Sequence, residues 1–103
     1  MTTTPQESIY QILSQVPSGK VVTYGYLAKL AGLGNAARFA GTTLKKLPKD
    51  TKLPWHRVVN AQGKISFPES HPGFERQKSL LMSESVCFKK NGKVDLGIFL
   101  WEP

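Results

Sequence analysis

Two short helical segments separated by a glycine-containing turn constrain the fold of this 103-residue chain more than any other feature. Residues 24–31 form the first segment, and Thr23 is placed to cap its N-terminus. Residues 36–46 form the second, with Asn35 as the expected N-cap and Pro48 preventing any continuation. Two helices joined by so tight a turn predict a helix-turn-helix.

The rest of the chain predicts further helices and little sheet. A capping box at Thr4 precedes one apolar stripe over residues 9–16, which indicates an amphipathic helix, and residues 74–82 predict another. Short extended segments are predicted at residues 58–59, 64–67, 86–88 and 93–95, of which the second could instead be a pocket wall. The fold is therefore expected to be mainly α with a little β, as one domain over residues 1–103.

Basic residues are concentrated in the middle of the sequence. The net charge is +7, and residues 20–64 hold nine of the fourteen lysines and arginines, with Asp50 as the only acid among them. Such an asymmetric field favours a polyanion, and nucleic acid is the commonest one in the cytosol. A solvated basic surface remains the alternative. The candidate phosphate contacts are four lysines that follow the helix-turn-helix: Lys45, Lys46, Lys49 and Lys52.

The composition argues against several other classes of protein. A single cysteine, Cys87, excludes an internal disulfide, and its apolar neighbours predict a small buried side chain and not a nucleophile. No apolar run approaches the roughly 20 residues of a membrane span, and the polar N-terminus is unlike a signal peptide. His56 and His71 are too isolated for a metal site, so neither a metal nor another cofactor is expected. A cytoplasmic monomer is the default expectation, nucleoid-associated if the source is bacterial.

The second helix of the helix-turn-helix begins with unusually small side chains, at Ala36, Ala37, Ala40 and Gly41. Small side chains would let the backbone approach DNA closely. Arg38 lies in this first turn and away from the apolar stripe, to which Ala37 and Leu44 are assigned. We therefore expect Arg38 to point outward, whereas Ala37 faces inward.

The stretch Pro54-Trp55-His56-Arg57-Val58-Val59 combines a stiff backbone with side chains suited to holding a base. Proline fixes its own φ and keeps the preceding residue extended, while the two valines read as a buried strand. Between these supports lie an indole, an imidazole and a guanidinium, which can stack on a base or bond to its edge. On these six residues alone, a loop with a core tryptophan is an equally good interpretation.

This hexapeptide resembles the Pro-Cys-His-Arg-Val active-site motif of the O6-alkylguanine-DNA alkyltransferases, with Trp55 in the position of the acceptor cysteine. That substitution is the mark of the alkyltransferase-like proteins, and the similarity extends over residues 4–84 in the family's order of motifs. The resemblance implies a winged helix-turn-helix-like fold, as in the C-terminal domain of the alkyltransferases. It also implies a protein that binds O6-alkylguanine in double-stranded DNA by nucleotide flipping and does not repair it. Such a protein flags the lesion for nucleotide excision repair proteins, of the UvrABC type in bacteria.

The resemblance assigns roles to particular residues. The arginine matching Arg38 fills the gap left by a flipped nucleotide, and the tyrosine matching Tyr24 presses on the phosphate to rotate that nucleotide out. Glu84 matches the glutamate that orients the active-site histidine. The implied lesion pocket comprises Tyr24, Trp55, His56, Arg57, Val58 and Glu84. The implied DNA-binding surface comprises Asn35, Ala36, Ala37, Arg38, Thr42 and the four lysines named above.

Two places depart from the alkyltransferase pattern. Leu47 occupies the position of an asparagine that ties the helix-turn-helix to the active site in that family. Residues 68–73 replace a Tyr-Ser-Gly-Gly-like segment that borders the guanine. Pocket width and rim contacts are therefore not carried over from the family.

Replacing the acceptor cysteine by tryptophan removes the nucleophile, because alkyl transfer needs an activated thiolate. We therefore expect a binding protein and not an enzyme. Two rival interpretations are an enzyme that uses Cys87 and a sequence-specific helix-turn-helix regulator. The regulator would need long polar side chains at the front of its recognition helix, where this chain has alanines.

Overall fold

A computed structural model describes residues 3–103, so the first two residues of the predicted domain lie outside it. Two strands, β1 (Val22–Thr23) and β2 (Val58–Val59), pair in parallel, and a 3-10 turn over Trp55–Arg57 leads into β2. Most of the remaining ordered structure is helical: α1 (Pro5–Leu13), α2 (Tyr24–Leu30), α3 (Ala37–Lys45), α4 (Pro72–Ser83) and α5 (Leu96–Phe99). The prediction of a mainly α fold with a little β is confirmed.

The helix starts show which capping predictions hold. The Thr4 hydroxyl accepts from the Glu7 amide at 3.2 Å, and the Thr23 hydroxyl accepts from the Tyr26 amide at 3.1 Å. The prediction that Asn35 caps the next helix is wrong. Its N-cap is Ala36, which has no side-chain acceptor. Gly34 takes a left-handed conformation, with φ of +64°, and the turn continues through residue 35 before the helix begins.

The β1–β2 pair lies between two apolar clusters. Val22 pairs with Val58 and faces a cluster formed with α1, α2 and α3, whereas Val21 and Val59 belong to a second cluster. This division follows from the alternation of side chains along an extended chain. The second cluster also contains Leu81, Val86 and Val94. The hexapeptide therefore enters the interior where both clusters meet, and its backbone is fixed from two sides.

The C-terminal segment folds back on this core. The Trp101 amide donates to the Val21 carbonyl at 2.8 Å, and Leu100 forms a bridge with Val21. Phe88 and Val94 form an antiparallel bridge across the turn at residues 90–92. No helix within residues 3–103 is long and apolar enough to cross a membrane.

Three further predictions need correction. Helix α4 begins at Pro72, two residues early, because the Nδ1 atom of His71 accepts from the Gly73 amide and caps the helix there. Residues 64–67 form no strand. Cys87 is exposed and not buried, because its neighbours Val86 and Phe88 turn toward the second cluster and alternation directs the thiol outward.

Candidate nucleic-acid interface

The 3-10 turn presents Trp55 at the wall of an open cavity of about 410 Å³. Pro54 precedes the turn, and the Arg57 amide closes it by donating to the Pro54 carbonyl at 3.0 Å. Helix α4 also lines the cavity through Arg76 and Leu80, and Lys52 lines it from the segment that precedes the turn. We call this space the Trp55 cavity. Within it, a planar ligand would meet an aromatic face and a cationic edge.

Aromatic side chains extend from Trp55 along the neighbouring loop. The Phe67 ring meets the indole edge-on, with centroids 6.4 Å apart, and His71 stacks on Phe67 at 4.6 Å. Gly73 makes this arrangement possible, because a Cβ atom there would come within 2.8 Å of the Phe67 ring. The loop that departs from the alkyltransferase pattern thus packs its aromatic side chains beside Trp55. Phe67 is not among the side chains that line the cavity, so the interpretation of residues 64–67 as a pocket wall stays a prediction.

Glu84, at the end of α4, is the acceptor around which the hexapeptide is arranged. His56 lies with Nε2 at 2.8 Å from one carboxylate oxygen, and Arg57 donates to both oxygens at 2.9 and 2.6 Å. Burial raises the pKa of Glu84, but hydrogen bonds and charge from Arg57 and His56 outweigh burial and lower the pKa to about 2. The group is therefore a carboxylate at neutral pH. Because a carboxylate only accepts, His56 must carry its proton on Nε2.

The contact between His56 and Glu84 that the resemblance implies is thus present. Arg57 lines the Trp55 cavity, as predicted. Besides Glu84, its guanidinium donates to the Val16 carbonyl at 2.7 Å, near the end of α1. Three of its five N–H groups thus bind protein acceptors, so Arg57 also fixes the position of the cavity wall.

Val58 and Tyr24 are predicted pocket residues that do not line the cavity. Val58 is fully buried in the first cluster and its neighbour Val59 is fully buried in the second, so β2 has no solvent-facing side and the assignment of Val58 to the lesion pocket is wrong. Tyr24 is half-buried at the start of α2, and its ring faces Gly41 on α3. Tyr24 therefore belongs to the helix-turn-helix surface and not to the cavity wall.

Sequence reasoning missed Gln77, whose side chain binds the backbone of the hexapeptide. This fully buried amide donates to the carbonyls of His56 and Val58, at 3.0 and 2.9 Å. A signal was available, because Gln77 lies one helical turn before the buried Leu81 and so places a polar side chain on an apolar stripe. A polar residue at such a position needs buried partners.

The helix-turn-helix presents the surface expected to meet DNA. Arg38 is exposed, as predicted, and its carbonyl accepts from the Thr42 hydroxyl at 3.0 Å. Ala37 is exposed, so its assignment to the inner face is wrong: with the helix beginning one residue late, Ala40 and Thr43 are its buried positions. The exposed residues Asn35, Lys45, Lys46, Lys49 and Lys52 continue from this surface along the chain toward the Trp55 cavity, and Ala36 is partly covered.

Sequence comparison identifies relatives that cover nearly all of this chain. A family model described as 6-O-methylguanine DNA methyltransferase, DNA binding domain, matches residues 4–86. The chain is 44% identical over 95 residues to the DNA base-flipping protein of Escherichia coli, covering 92% of this chain and 72% of that protein. It is 36% identical over 99 residues to alkyltransferase-like protein 1 of Schizosaccharomyces pombe, covering 92% of each.

Solved structures agree with the sequence matches. The crystal structure of S. pombe Atl1 in complex with damaged DNA containing O6-carboxymethylguanine matches with a TM-score of 0.84 and 35% identity, over 96% of this chain and 95% of that chain. Mycobacterium tuberculosis OGT in complex with DNA matches with a TM-score of 0.70 and 30% identity, over 82% of this chain and 51% of that chain. The predicted likeness in fold is confirmed. This chain belongs to the family of the 6-O-methylguanine DNA methyltransferase DNA-binding domain, as a relative of the alkyltransferase-like proteins.

Proposed function

We propose that this protein binds O6-alkylguanine in double-stranded DNA by flipping the damaged nucleotide into the Trp55 cavity, without transferring the alkyl group. Family membership supports a DNA-binding role, and relatives named for base flipping support the mode of binding. The similarity to a protein bound to DNA containing O6-carboxymethylguanine supports the choice of lesion. The observation that carries the proposal is the separation of the thiol from the cavity.

Cys87 and Trp55 line different cavities, on opposite faces of α4. Arg76 lines the Trp55 cavity, whereas Lys78, two residues later, lines the cavity that contains Cys87. Positions two residues apart differ by about 200° around an α-helix, so they project in nearly opposite directions. A base held against Trp55 would have the helix between itself and the only thiol of the chain.

The residues that would assist a nucleophile are nevertheless in place. In the alkyltransferases, the resemblance implies, a glutamate and a histidine help to activate the acceptor thiolate. Here Glu84 and His56 are hydrogen-bonded, but the adjoining side chain is the Trp55 indole, which offers no nucleophilic lone pair at neutral pH. The pair therefore serves to fix the cavity wall, and the alkyl group stays on the base.

What the cavity offers is recognition of an extruded base. Stacking on an aromatic side chain contributes roughly 1–3 kcal/mol per base, whereas unpairing and unstacking cost a few kcal/mol. That cost is lower for a base whose pairing is already damaged, so O6-alkylguanine is favoured over guanine. Trp55 supplies the stacking surface and Arg76 supplies a cation beside it. The free energy gained by stacking and the cost of unpairing are similar in size, so a small reduction of that cost is enough to favour the damaged base.

The helix-turn-helix supplies the parts needed to open the duplex. We assign Arg38 to the gap left by the flipped nucleotide, because its side chain is exposed in the first turn of α3 beside small residues. We assign Tyr24 to the phosphate of the flipped nucleotide, because it lies at the start of α2 against Gly41 of α3. Both assignments extend the family resemblance to this chain.

A protein that holds a lesion without changing it must pass the lesion on. We therefore propose that the complex marks O6-alkylguanine for nucleotide excision repair in the cell, where the free protein is cytoplasmic. The support for this step is chemical: neither Trp55 nor its hydrogen-bonded neighbours can remove the alkyl group.

Two measurements test the proposal together. Titration of a duplex with one O6-methylguanine against the same duplex with guanine should show tighter binding to the lesion. Intact-protein mass spectrometry after incubation with excess lesion DNA should show no added methyl group. A methylated protein would refute the non-enzymatic role, and equal affinity for both duplexes would refute lesion recognition. A preference for one undamaged sequence would instead indicate the helix-turn-helix regulator.

A further inference from the structure

A second open cavity of about 410 Å³ lies between the end of α4 and the segment that follows it. Its lining combines apolar and basic side chains: Lys78, Met82, Val86, Cys87, Phe88 and Lys89. We call it the Met82 cavity. Met82 is 57% exposed and lies beside the partly buried Phe88 ring in this lining, so the cavity has an apolar floor that is open to solvent. The cavity is thus a candidate binding surface that the lesion chemistry does not use.

The Met82 cavity faces away from the proposed DNA site. As shown above, Arg76 and Lys78 project from nearly opposite faces of α4, and the same relation holds for Leu80 and Met82. A duplex that delivers a base to Trp55 therefore lies on the other side of this helix. A ligand in the Met82 cavity and DNA at the Trp55 cavity could be bound at the same time.

The charged side chains that line the cavity are both positive. The Lys78 ammonium group lies 5.8 Å from the centroid of the Phe88 ring, and Lys89 also lines the cavity. No carboxylate of residues 3–103 is among the lining side chains. Asp95 lies 3.9 Å from the Lys89 ammonium group, at the limit of an ion pair, and both side chains are partly exposed, so Lys89 keeps capacity for another anion.

We propose that the Met82 cavity docks an acidic segment of a partner protein that carries an exposed apolar side chain. Carboxylates of the segment would pair with Lys78 and Lys89, and the apolar side chain would cover Met82 and Phe88. Apolar floors with charged rims are the usual composition of such docking sites. DNA fits this surface less well, because its outer face offers phosphates and no apolar side chain for the floor. This surface does not depend on lesion binding, so it goes beyond the function proposed above.

The test uses the complete protein and three probes. The first is a fluorescein-labelled peptide of aspartate and glutamate around one phenylalanine. The second is the same peptide with glycine in place of phenylalanine, and the third is an undamaged DNA duplex. Binding is followed by fluorescence anisotropy. Occupancy of the cavity is followed separately by the rate at which a neutral maleimide modifies Cys87, the only thiol of the chain.

We expect the phenylalanine peptide to bind and to slow modification of Cys87. Lys78→Glu should weaken peptide binding about tenfold, the loss typical of one charge-assisted contact, whereas the matched control Lys90→Glu, outside the cavity, should change it little. Met82→Glu should weaken it as well. Its control is Ile98→Glu, which places the same charge at an apolar residue that is 62% exposed elsewhere. Circular dichroism and lesion binding should remain as in the wild type for all four variants.

Three results would overturn the proposal. The first is peptide binding that leaves the rate of Cys87 modification unchanged, or no peptide binding at all. The second is equal loss in Lys78→Glu and Lys90→Glu, which would indicate attraction by net charge. The third is protection of Cys87 by the DNA duplex and not by the peptide, which would make the surface a DNA contact. None of these results bears on whether Trp55 holds a damaged base.

Discussion

The Arg76 guanidinium lies over the Trp55 ring, 5.7 Å from its centroid, within range of a cation–π contact. The same guanidinium reaches the Lys49 carbonyl at 3.5 Å, so one side chain of α4 touches both the indole and the basic connection. Because Arg76 and Trp55 both line the Trp55 cavity, a base that enters the cavity would meet the indole and the guanidinium together. The cation–π contact therefore helps to fix the position of the indole before any DNA binds.

Replacing Arg76 should reduce discrimination for the lesion. Arg76→Ala removes a contact worth about 0.5–2 kcal/mol, so the affinity ratio of O6-methylguanine to guanine duplexes should fall roughly 2- to 30-fold. Arg76→Lys should retain part of the ratio, because the cation remains but its planar stacking surface is lost. Both ratios are measured by titration at one salt concentration.

The control for Arg76 is Lys78→Ala, which removes a cation from the opposite face of the same helix. We expect this variant to keep the wild-type affinity ratio. An equal fall in both variants would mean that Arg76 acts through net charge and not through Trp55. Indole fluorescence, measured in a Trp101→Phe background, should change in Arg76→Ala and remain unchanged in Lys78→Ala.

The low pKa of Glu84 predicts a pH dependence of stability. Its pKa is about 2 in the folded protein against an ordinary value of 4.5, so the carboxylate stabilises the fold fully above pH 4.5. This contribution, about 3 kcal/mol at neutral pH from a shift of that size, is lost as the pH falls from 4.5 toward 2. Glu84→Gln should thus lower the free energy of unfolding at pH 7, and its difference from the wild type should shrink toward pH 2.

Urea unfolding of both proteins at several pH values measures this difference. Glu69→Gln, at an exposed loop position, serves as the matched control and should differ little from the wild type at any pH. A difference for Glu84→Gln that stays constant between pH 7 and pH 2.5 would show that packing, and not the charge of the carboxylate, makes the contribution.

Arg38 should be required to keep a nucleotide out of the duplex. A fluorescent base analogue beside the lesion reports unstacking, so its emission should rise when the wild-type protein binds. Arg38→Ala should raise emission much less at saturation, because the vacated space in the base stack closes again. Lys45→Ala, on the same helix, should retain the full rise. Equal emission from Arg38→Ala and the wild type would take the gap-filling role away from Arg38.

The basic connection should make binding dependent on salt. Each phosphate contact contributes about −0.9 to the slope of log affinity against log salt on duplex DNA. Neutralising Lys45, Lys46 or Lys49 by glutamine should therefore flatten the slope by about one while leaving the lesion preference unchanged. Lys52 differs, because it lines the Trp55 cavity, and Lys52→Gln should also lower the preference. An unchanged slope for the first three would place them away from phosphates.

The parts of the fold that the sequence predicts correctly are those set by interactions between residues close together in the chain. The caps at Thr4 and Thr23 and the strand at Val58-Val59 follow from interactions within a few residues, and all three are present. The predicted cap at Asn35 is wrong for a local reason as well. Gly34 takes a left-handed conformation that lengthens the turn, and residue preferences do not distinguish this longer turn from a shorter one.

The remaining errors concern contacts between distant segments. The apolar neighbours of Cys87 predict a buried thiol. Alternating side chains point to opposite faces, however, and the face that is buried here is the one on which Val86 and Phe88 pack against the second cluster. The engagement of Arg57 with Glu84 and the Val16 carbonyl joins residues 27 and 41 positions apart. Arg76 and Gln77 likewise contact the hexapeptide from α4, and the sequence of the hexapeptide does not indicate either contact.

The amide of Gln77 has a further consequence for the rigidity of the hexapeptide. It donates to the carbonyls of His56 and Val58, on either side of the point where the 3-10 turn becomes β2. A buried carbonyl that loses its donor costs about 1–3 kcal/mol. Gln77→Leu would remove this donor from both carbonyls. We therefore expect the backbone amide protons of the turn to exchange with solvent faster in this variant than in the wild type.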